Sequence, residues 1–245
     1  MLQKLRTYLQ EAWKFRKEYP NNCKVLELMF FFPDWSRSLQ TGASPLNDQR
    51  PWITFAAIRF LRNNLRKDMR VYEYGAGGST LFFAKRVKEV ISVEHDPVWR
   101  DQVMEALTNG GHENWRIDLI EPTPDARIID KDPSDPDAYV SSALEFKGHS
   151  FRNYASSIEG YPDGYFDVVV IDGRARPSCF KHALSKVKDN GYIIWDNTDR
   201  SYYFPAMQLA PGNLYFRDFP GPSPYVNFFT RTSLWHYQKN NANPN

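Results

Sequence analysis

The segment from Met69 to Asp96 constrains this chain more than any other. It reads as a strand, a glycine turn, a short helix and a second strand closed by an acid: Val71-Tyr72-Glu73-Tyr74-Gly75-Ala76-Gly77-Gly78-Ser79-Thr80, then Val90-Ile91-Ser92-Val93-Glu94. Strands joined through a helix pair side by side in parallel, which points to an open α/β sheet covered on both faces. Gly75 and Gly77 permit a sharp turn and a close backbone approach to a ligand, and the free N–H groups of a helix starting near Ser79 favour a partly anionic group. Glu94 lies nineteen residues after Gly75, close to the roughly 20 at which an acid ending the second strand accepts the hydroxyls of a ribose. The layout is that of a nucleotide cradle.

Two departures from a dinucleotide site narrow the ligand. Glu73 stands two residues before the first glycine, and Thr80 occupies the place of the third glycine of G-x-G-x-x-G. A pyrophosphate is repelled by a carboxylate at the mouth of its pocket, whereas a ligand with an ammonium group gains from one. S-adenosylmethionine meets that demand; an NAD-dependent oxidoreductase is the disfavoured alternative. With Glu73, Gly75, Gly77 and Glu94 in this order, the chain resembles the class I S-adenosylmethionine-dependent methyltransferases, whose first motif is an acid followed by G-x-G and whose second is an acid ending the next strand. The resemblance covers about residues 51–237. It implies a doubly wound, mostly parallel seven-stranded Rossmann-like sheet with helices on both faces. It also implies a cofactor site of Glu73, Gly75, Ala76, Gly77, Ser79, Thr80, Glu94, His95 and Asp172, with Glu94 on the ribose, Glu73 near the methionine ammonium and His95 beside the adenine. A silent domain that binds the cofactor without turning it over is a further alternative.

At 245 residues the chain accommodates one α/β domain with additions. We divide it into an N-terminal helical extension and loop over 1–50 and a methyltransferase domain over 51–245. Lysine and arginine number 31 against 29 acids, a net charge of +2. That balance gives no general reason to bind nucleic acid or membrane, so partners must be argued locally. The charged stretch Met1 to Pro20 lacks the apolar core of a signal peptide or a membrane span. Cys23 and Cys179 have no spacing suited to a metal or a disulfide framework, as expected of a cytoplasmic protein.

Leu2, Leu5, Leu9, Ala12, Trp13 and Phe15 predict an amphipathic helix over 2–17, which is also a candidate homodimer face. A polar loop is expected over 34–50, then a helix opened by Pro51. Strands are predicted at 70–74, 90–94, 115–120, 166–171 and 192–195, with helices at 79–88, 97–107, 151–158 and 177–188. The unbroken Val168-Val169-Val170-Ile171 marks a strand buried on both faces, at the sheet's centre. Residues 213–219 and 227–237 alternate like a closing antiparallel pair, joined by Pro220-Gly221-Pro222-Ser223-Pro224. The segment 122–150 is long for a strand-to-helix connection and leaves the ligand-binding edge of the sheet, which makes it a candidate lid.

A second cluster follows the fourth and fifth strands: Asp172-Gly173-Arg174-Ala175-Arg176 and Asp196-Asn197-Thr198-Asp199-Arg200. Oxygen ligands from Asp172, Asp196 and Asn197 can hold one hard cation such as Mg2+. This part of the chain resembles the catechol and caffeoyl-CoA O-methyltransferases, in which a metal chelates the acceptor, except that Ala175 stands where those enzymes carry a lysine. Alternatively Arg174, Arg176 and Arg200 neutralise the carboxylates as ion pairs, or Asp196-Asn197 simply ends a strand. Asp172, as a general base or a neighbour of the sulfonium, and Arg174 are the catalytic candidates. Transfer to oxygen of a small acceptor with a negative group is the expected reaction.

Overall fold

The computed structural model describes residues 2–237. Seven strands form one sheet: β1 (Arg70–Tyr74), β2 (Glu89–Glu94), β3 (Trp115–Leu119), β4 (Phe166–Ile171), β5 (Val187–Trp195), β6 (Leu214–Pro222) and β7 (Phe229–Tyr237). Their spatial order is β3-β2-β1-β4-β5-β7-β6. The first five run parallel, and β7 is antiparallel to both neighbours. This is the mostly parallel, doubly wound sheet that the motifs imply, with β4 at its centre. Successive residues of each strand face opposite sides. Val71, Val90 and Val168 therefore meet Leu81 and Phe83 on one face, while Tyr72, Ile91 and Val169 meet Phe151 and Phe180 on the other.

Register fixes the functional edge. Tyr74 pairs with Val93 on one side and Ile171 on the other, so the turns after β1, β2 and β4 emerge level with one another. Crossovers from this edge pass through α4 (Gly78–Ala84), α5 (Pro97–Asn109) and α6 (Arg176–Ala183). Before the sheet come α1 (Leu2–Glu18), α2 (Val25–Ser38) and α3 (Phe55–Asn64).

Several boundaries differ from the sequence reading. The loop expected from residue 34 starts later, because α2 continues through Pro33 to Ser38; Leu28, Phe31 and Trp35 bury one face of it and offset the backbone bond that the proline removes. Pro51 does not open a helix. The chain bends through residues 52 and 53, and α3 begins at Phe55 after an extended Thr54. The helix expected to reach Lys188 stops at Ala183, since β5 already pairs at Val187. Pro220-Gly221-Pro222 is not a linker but the end of β6, where prolines are tolerated because β6 is an edge strand.

The 122–150 segment is closed at its base by a two-residue ladder, Thr123–Pro124 with His149–Ser150. Its middle is not free: Ala138, Tyr139 and Val140 are buried, and Phe151 donates its N–H to the Tyr139 carbonyl. Cys23 and Cys179 are both buried free thiols. No described helix is long and apolar enough to cross a membrane.

Candidate functional site

The turn after β1 is shaped by packing. Gly75 has φ +94°, which disfavours any side chain, and a Cβ there would stand 2.9 Å from the Gly173 Cα of the turn after β4. Gly173 is equally confined, since its Cβ would meet the Tyr154 hydroxyl at 2.0 Å. The two loop glycines thus seat the β1 and β4 turns against each other. Gly77 is different. Its backbone is extended, and a Cβ would meet nothing closer than 3.9 Å. Glycine at 77 keeps a space open that no protein atom fills.

Beneath the turn, Glu73 is fully buried. Its Oε2 accepts from the Thr80 hydroxyl at 2.6 Å and the Ser92 hydroxyl at 2.8 Å, while its Oε1 has no partner. Burial pushes this carboxyl up to about 7, opposed by the hydroxyls of Ser79, Thr80 and Ser92. Thr80, the residue in place of the third glycine, also accepts the Gly77 N–H at 3.0 Å. It is a brace between the turn and Glu73.

Glu94 ends β2 as expected, and its carboxylate is already engaged. Oε2 accepts from the Ala76 N–H at 3.0 Å; Oε1 accepts from the His95 and Asp96 N–H groups at 2.7 and 3.0 Å. The side chain therefore ties the β1 turn to the start of α5. The Ala76 carbonyl accepts from the Trp99 indole at 2.7 Å. His95 Nδ1 lies 2.6 Å from Glu94 Oε1 but off the line that a hydrogen bond needs.

Arg174 reaches across the site. It follows β4, yet its Nε donates to His95 Nε2, after β2, at 3.3 Å. Because β1 lies between those strands, spanning roughly 10 Å of sheet, the side chain passes over the end of β1. Its guanidinium also lies 5.1 Å from the centre of the Phe146 ring and 3.7 Å from Glu145. Phe146 in turn packs edge-on to His95 at 5.2 Å. The 122–150 segment thus touches the site rim.

Asp172, Asp196 and Asn197 are brought together at the ends of β4 and β5, but around a guanidinium. Arg176 Nη2 pairs with Asp172 Oδ1 at 2.9 Å and donates to the Asp172 carbonyl at 3.2 Å. Nη1 donates to the Asp196 carbonyl at 2.7 Å and to Asn197 Oδ1 at 3.2 Å, and Nε to the Gly173 carbonyl at 3.0 Å. The fork thus makes four hydrogen bonds and one ion pair. The Mg2+ expectation is therefore corrected: a permanent cation already holds Asp172 Oδ1 and Asn197 Oδ1, and no group of three or more metal-type side chains occurs among the described residues. Burial raises the Asp172 carboxyl, opposed by Arg176 and Arg200. It pushes Asp196 up to about 8, reinforced by Asp172. Asp196 accepts from the Thr232 hydroxyl at 2.6 Å.

Beside this cluster opens a cavity of about 440 Å³, lined by Asp172, Arg174, Arg200, Trp52, Ser223 and Phe228 among others. Trp52 and Phe228 expose half their surface, and the buried Ser223 hydroxyl has no partner. Arg200 contacts the Tyr203 hydroxyl at 3.3 Å and no described carboxylate. Sequence reading did not assign these three lining residues to the site: it put Trp52 in the helix expected from Pro51, Ser223 in the connection 220–224 and Phe228 in the strand expected over 227–237. A larger concavity of about 1210 Å³ lies elsewhere, between α2, α3 and β6; it has no part in the edge that holds the turns.

No protein-family profile matches the chain, and no curated protein matches it. Solved structures do resemble it. A candidate O-methyltransferase of Klebsiella pneumoniae aligns at 18% identity over 84% of this chain and 87% of its own, with a TM-score of 0.50. A candidate methyltransferase of Streptococcus mutans in complex with SAH aligns at 11% identity over 73% and 94%, at 0.49, and an rRNA methylase of Streptococcus thermophilus at 14% over 74% and 93%, at 0.48. The first likeness extends to fold: the seven-stranded Rossmann-like methyltransferase sheet is the architecture of this chain.

Proposed function

We propose that this protein is an S-adenosylmethionine-dependent methyltransferase acting on an oxygen of a small acceptor that bears a negative group. The observation that supports it best is Glu73: a buried carboxylate with one unpartnered oxygen, set beside a glycine turn whose second glycine guards empty space. A lone buried acceptor is costly without a donor. The methionine ammonium supplies one.

When bound, the cofactor brings an electrophilic methyl carbon and a neutral leaving group, so the protein's task is alignment. Glu73 takes the ammonium. Gly75, Ala76 and Gly77, braced by Ser79 and Thr80, present the turn. Glu94 fixes that turn through Ala76 and offers the ribose the lone pairs left on Oε2; His95 borders the adenine side. Asp172 lines the cavity and is held by Arg176 through one oxygen, which leaves the other to accept the proton of the acceptor hydroxyl. Arg200 faces the acceptor's negative group, since Arg176 is committed to the ends of β4 and β5. Arg174 lies across the turn and moves aside or onto the bound ligand, with residues 122–150 closing behind it as a lid. Among the residues present no cation is needed, because Arg176 compensates the carboxylates.

Calorimetric titration tests the reading. S-adenosylhomocysteine is expected to bind, and NAD not to; NAD binding without any response to S-adenosylhomocysteine would end it. Release of S-adenosylhomocysteine in the presence of an acceptor separates an enzyme from a silent binding domain.

A further inference from the structure

Helix α1 has two apolar faces and the fold covers one. Tyr8 and Phe15 are buried against the sheet edge, with Tyr8 packed 5.0 Å from Phe229 and its hydroxyl donating to the Leu28 carbonyl at 2.5 Å. The neighbouring stripe is bare: Leu2 is 81% exposed, Leu9 58% and Trp13 70%. With Leu5, which lies between them, these residues recur at intervals of three and four and so share one side of the helix. Isolated exposed apolar residues need no explanation, but an aligned row of four does.

The charge around that row points to one occupant. Helix α1 holds five cations, Lys4, Arg6, Lys14, Arg16 and Lys17, against Glu11 and Glu18, a local +3 on a chain whose net charge is only +2. The rest of the molecule is thus slightly acidic, and the positive charge sits where the apolar row sits. None of the five makes a salt bridge among the described residues; Lys4 donates to the Ser36 and Leu39 carbonyls, and the Lys17 ammonium lies 5.7 Å over the Trp13 ring. Leucines and a tryptophan flanked by unpaired cations, on a helix too polar to cross a bilayer, are the chemistry of an interfacial helix. Pairing of the row with a second copy would instead bring two +3 helices within a Debye length of each other.

We propose that α1 docks the protein on an anionic lipid surface, with Leu2, Leu5, Leu9 and Trp13 in the headgroup boundary and Arg6, Lys14 and Lys17 on the lipid phosphates and carboxylates. The helix lies in the plane of the surface and does not span it. Docking is peripheral and reversible, because one short helix buries little apolar area and the electrostatic part is screened by salt.

Flotation of the full-length protein with vesicles tests this directly. Recovery with phosphatidylcholine vesicles containing phosphatidylserine is expected, with little recovery on phosphatidylcholine alone and loss at high salt. Two variants confined to the exposed side, Leu9→Ser with Trp13→Ser and Arg6→Gln with Lys14→Gln and Lys17→Gln, are each expected to weaken partitioning about tenfold or more, with unchanged urea midpoints showing that the fold is intact. Absence of flotation, equal recovery on neutral and anionic vesicles, or variants that float like the parent would overturn the proposal. So would a dimer in sedimentation equilibrium that the Leu9→Ser, Trp13→Ser variant dissociates, since the row would then belong to a second copy.

Discussion

At the end of β1, Glu73 is buried among neutral hydroxyls with one oxygen unpartnered. At the ends of the neighbouring strands β4 and β5, half-buried Asp172 and buried Asp196 flank a guanidinium that makes one ion pair and four hydrogen bonds there. Both clusters are acidic, both sit on the carboxyl edge, and both carboxyl sets are raised by burial. The first is unfinished and the second is closed. The second carries its own cation and leaves one Asp172 oxygen toward the cavity; the unfinished one marks where a ligand completes the hydrogen bonding.

The largest expected effect comes from opening the closed cluster. Arg176→Met removes the ion pair to Asp172 and four hydrogen bonds to the Asp172, Gly173 and Asp196 carbonyls and to Asn197, which should lower unfolding free energy by about 3 to 5 kcal/mol, read from a urea midpoint at constant slope. Lysine should not rescue it, because three donors on a flexible stem cannot replace a five-donor fork. A loss below about 1 kcal/mol, in the range of an exposed pair, would mean that the cluster is not closed.

Glu73→Gln sharpens the other side. Folding raises this carboxyl from 4.5 to about 7 and Asp196 from 3.8 to about 8, so the folded state binds the more protons. Stability from these groups is therefore complete at acidic pH and is lost as pH rises from about 4 to about 8. Glutamine at 73 keeps the shape and removes the charge. The ligand-free variant should accordingly escape about 3 kcal/mol of that loss at pH 8. For the parent, affinity for S-adenosylhomocysteine should increase as pH rises through about 7, because the ammonium pairs with the ionised carboxylate. For the variant that dependence should vanish and affinity fall about tenfold. Calorimetry at pH 6 and pH 8 reads both, and an unchanged pH dependence would remove Glu73 from the ammonium.

Glycine substitutions separate scaffold from ligand space within a single turn. Gly75→Ala forces a Cβ into a φ of +94° and against Gly173 at 2.9 Å; about 1 to 3 kcal/mol of stability should be lost. Gly77→Ala meets no atom within 3.4 Å. Stability should then change by less than about 0.5 kcal/mol while cofactor affinity falls. If both lose stability alike, the open space at Gly77 is not reserved.

This contrast also explains what the sequence disclosed. The order of Glu73, Gly75, Gly77 and Glu94, together with the apolar run at 168–171, was enough to place the sheet, its centre and its functional edge, because strand periodicity and turn chemistry are local. The partners of Arg176 were not legible. Whether Asp172, Asp196 and Asn197 surround a metal or a guanidinium depends on how the side chain of Arg176, directly after Ala175 of φ +44°, folds back, and nothing in the spacing decides that. The same holds for Trp52, Ser223 and Phe228, which line one cavity where Trp52 packs on Tyr225, a meeting of segments far apart in the chain. The strand at 214–222 ran past its predicted end because an edge position tolerates the prolines that read as a linker.

The smallest effect concerns the arginine that bridges the two halves of the edge. Arg174 lies over the β1 turn, held by His95 at 3.3 Å and by the Phe146 ring at 5.1 Å. A ligand lying over that turn must displace this contact, and the displacement subtracts from its affinity. Deleting the whole 122–150 segment would strip Tyr139 from the core and confuse the outcome; Phe146→Ala removes one wall and leaves the base ladder and Tyr139 in place. The cation–ring contact is worth about 0.5 to 1 kcal/mol at a partly exposed site, so S-adenosylhomocysteine should bind about two- to fivefold more tightly to Phe146→Ala. A comparable weakening would instead make Phe146 part of the wall against which the ligand packs. The direction of a small change therefore distinguishes a latch, which belongs with the closed cluster around Arg176, from a ligand contact, which belongs with the unfinished one around Glu73.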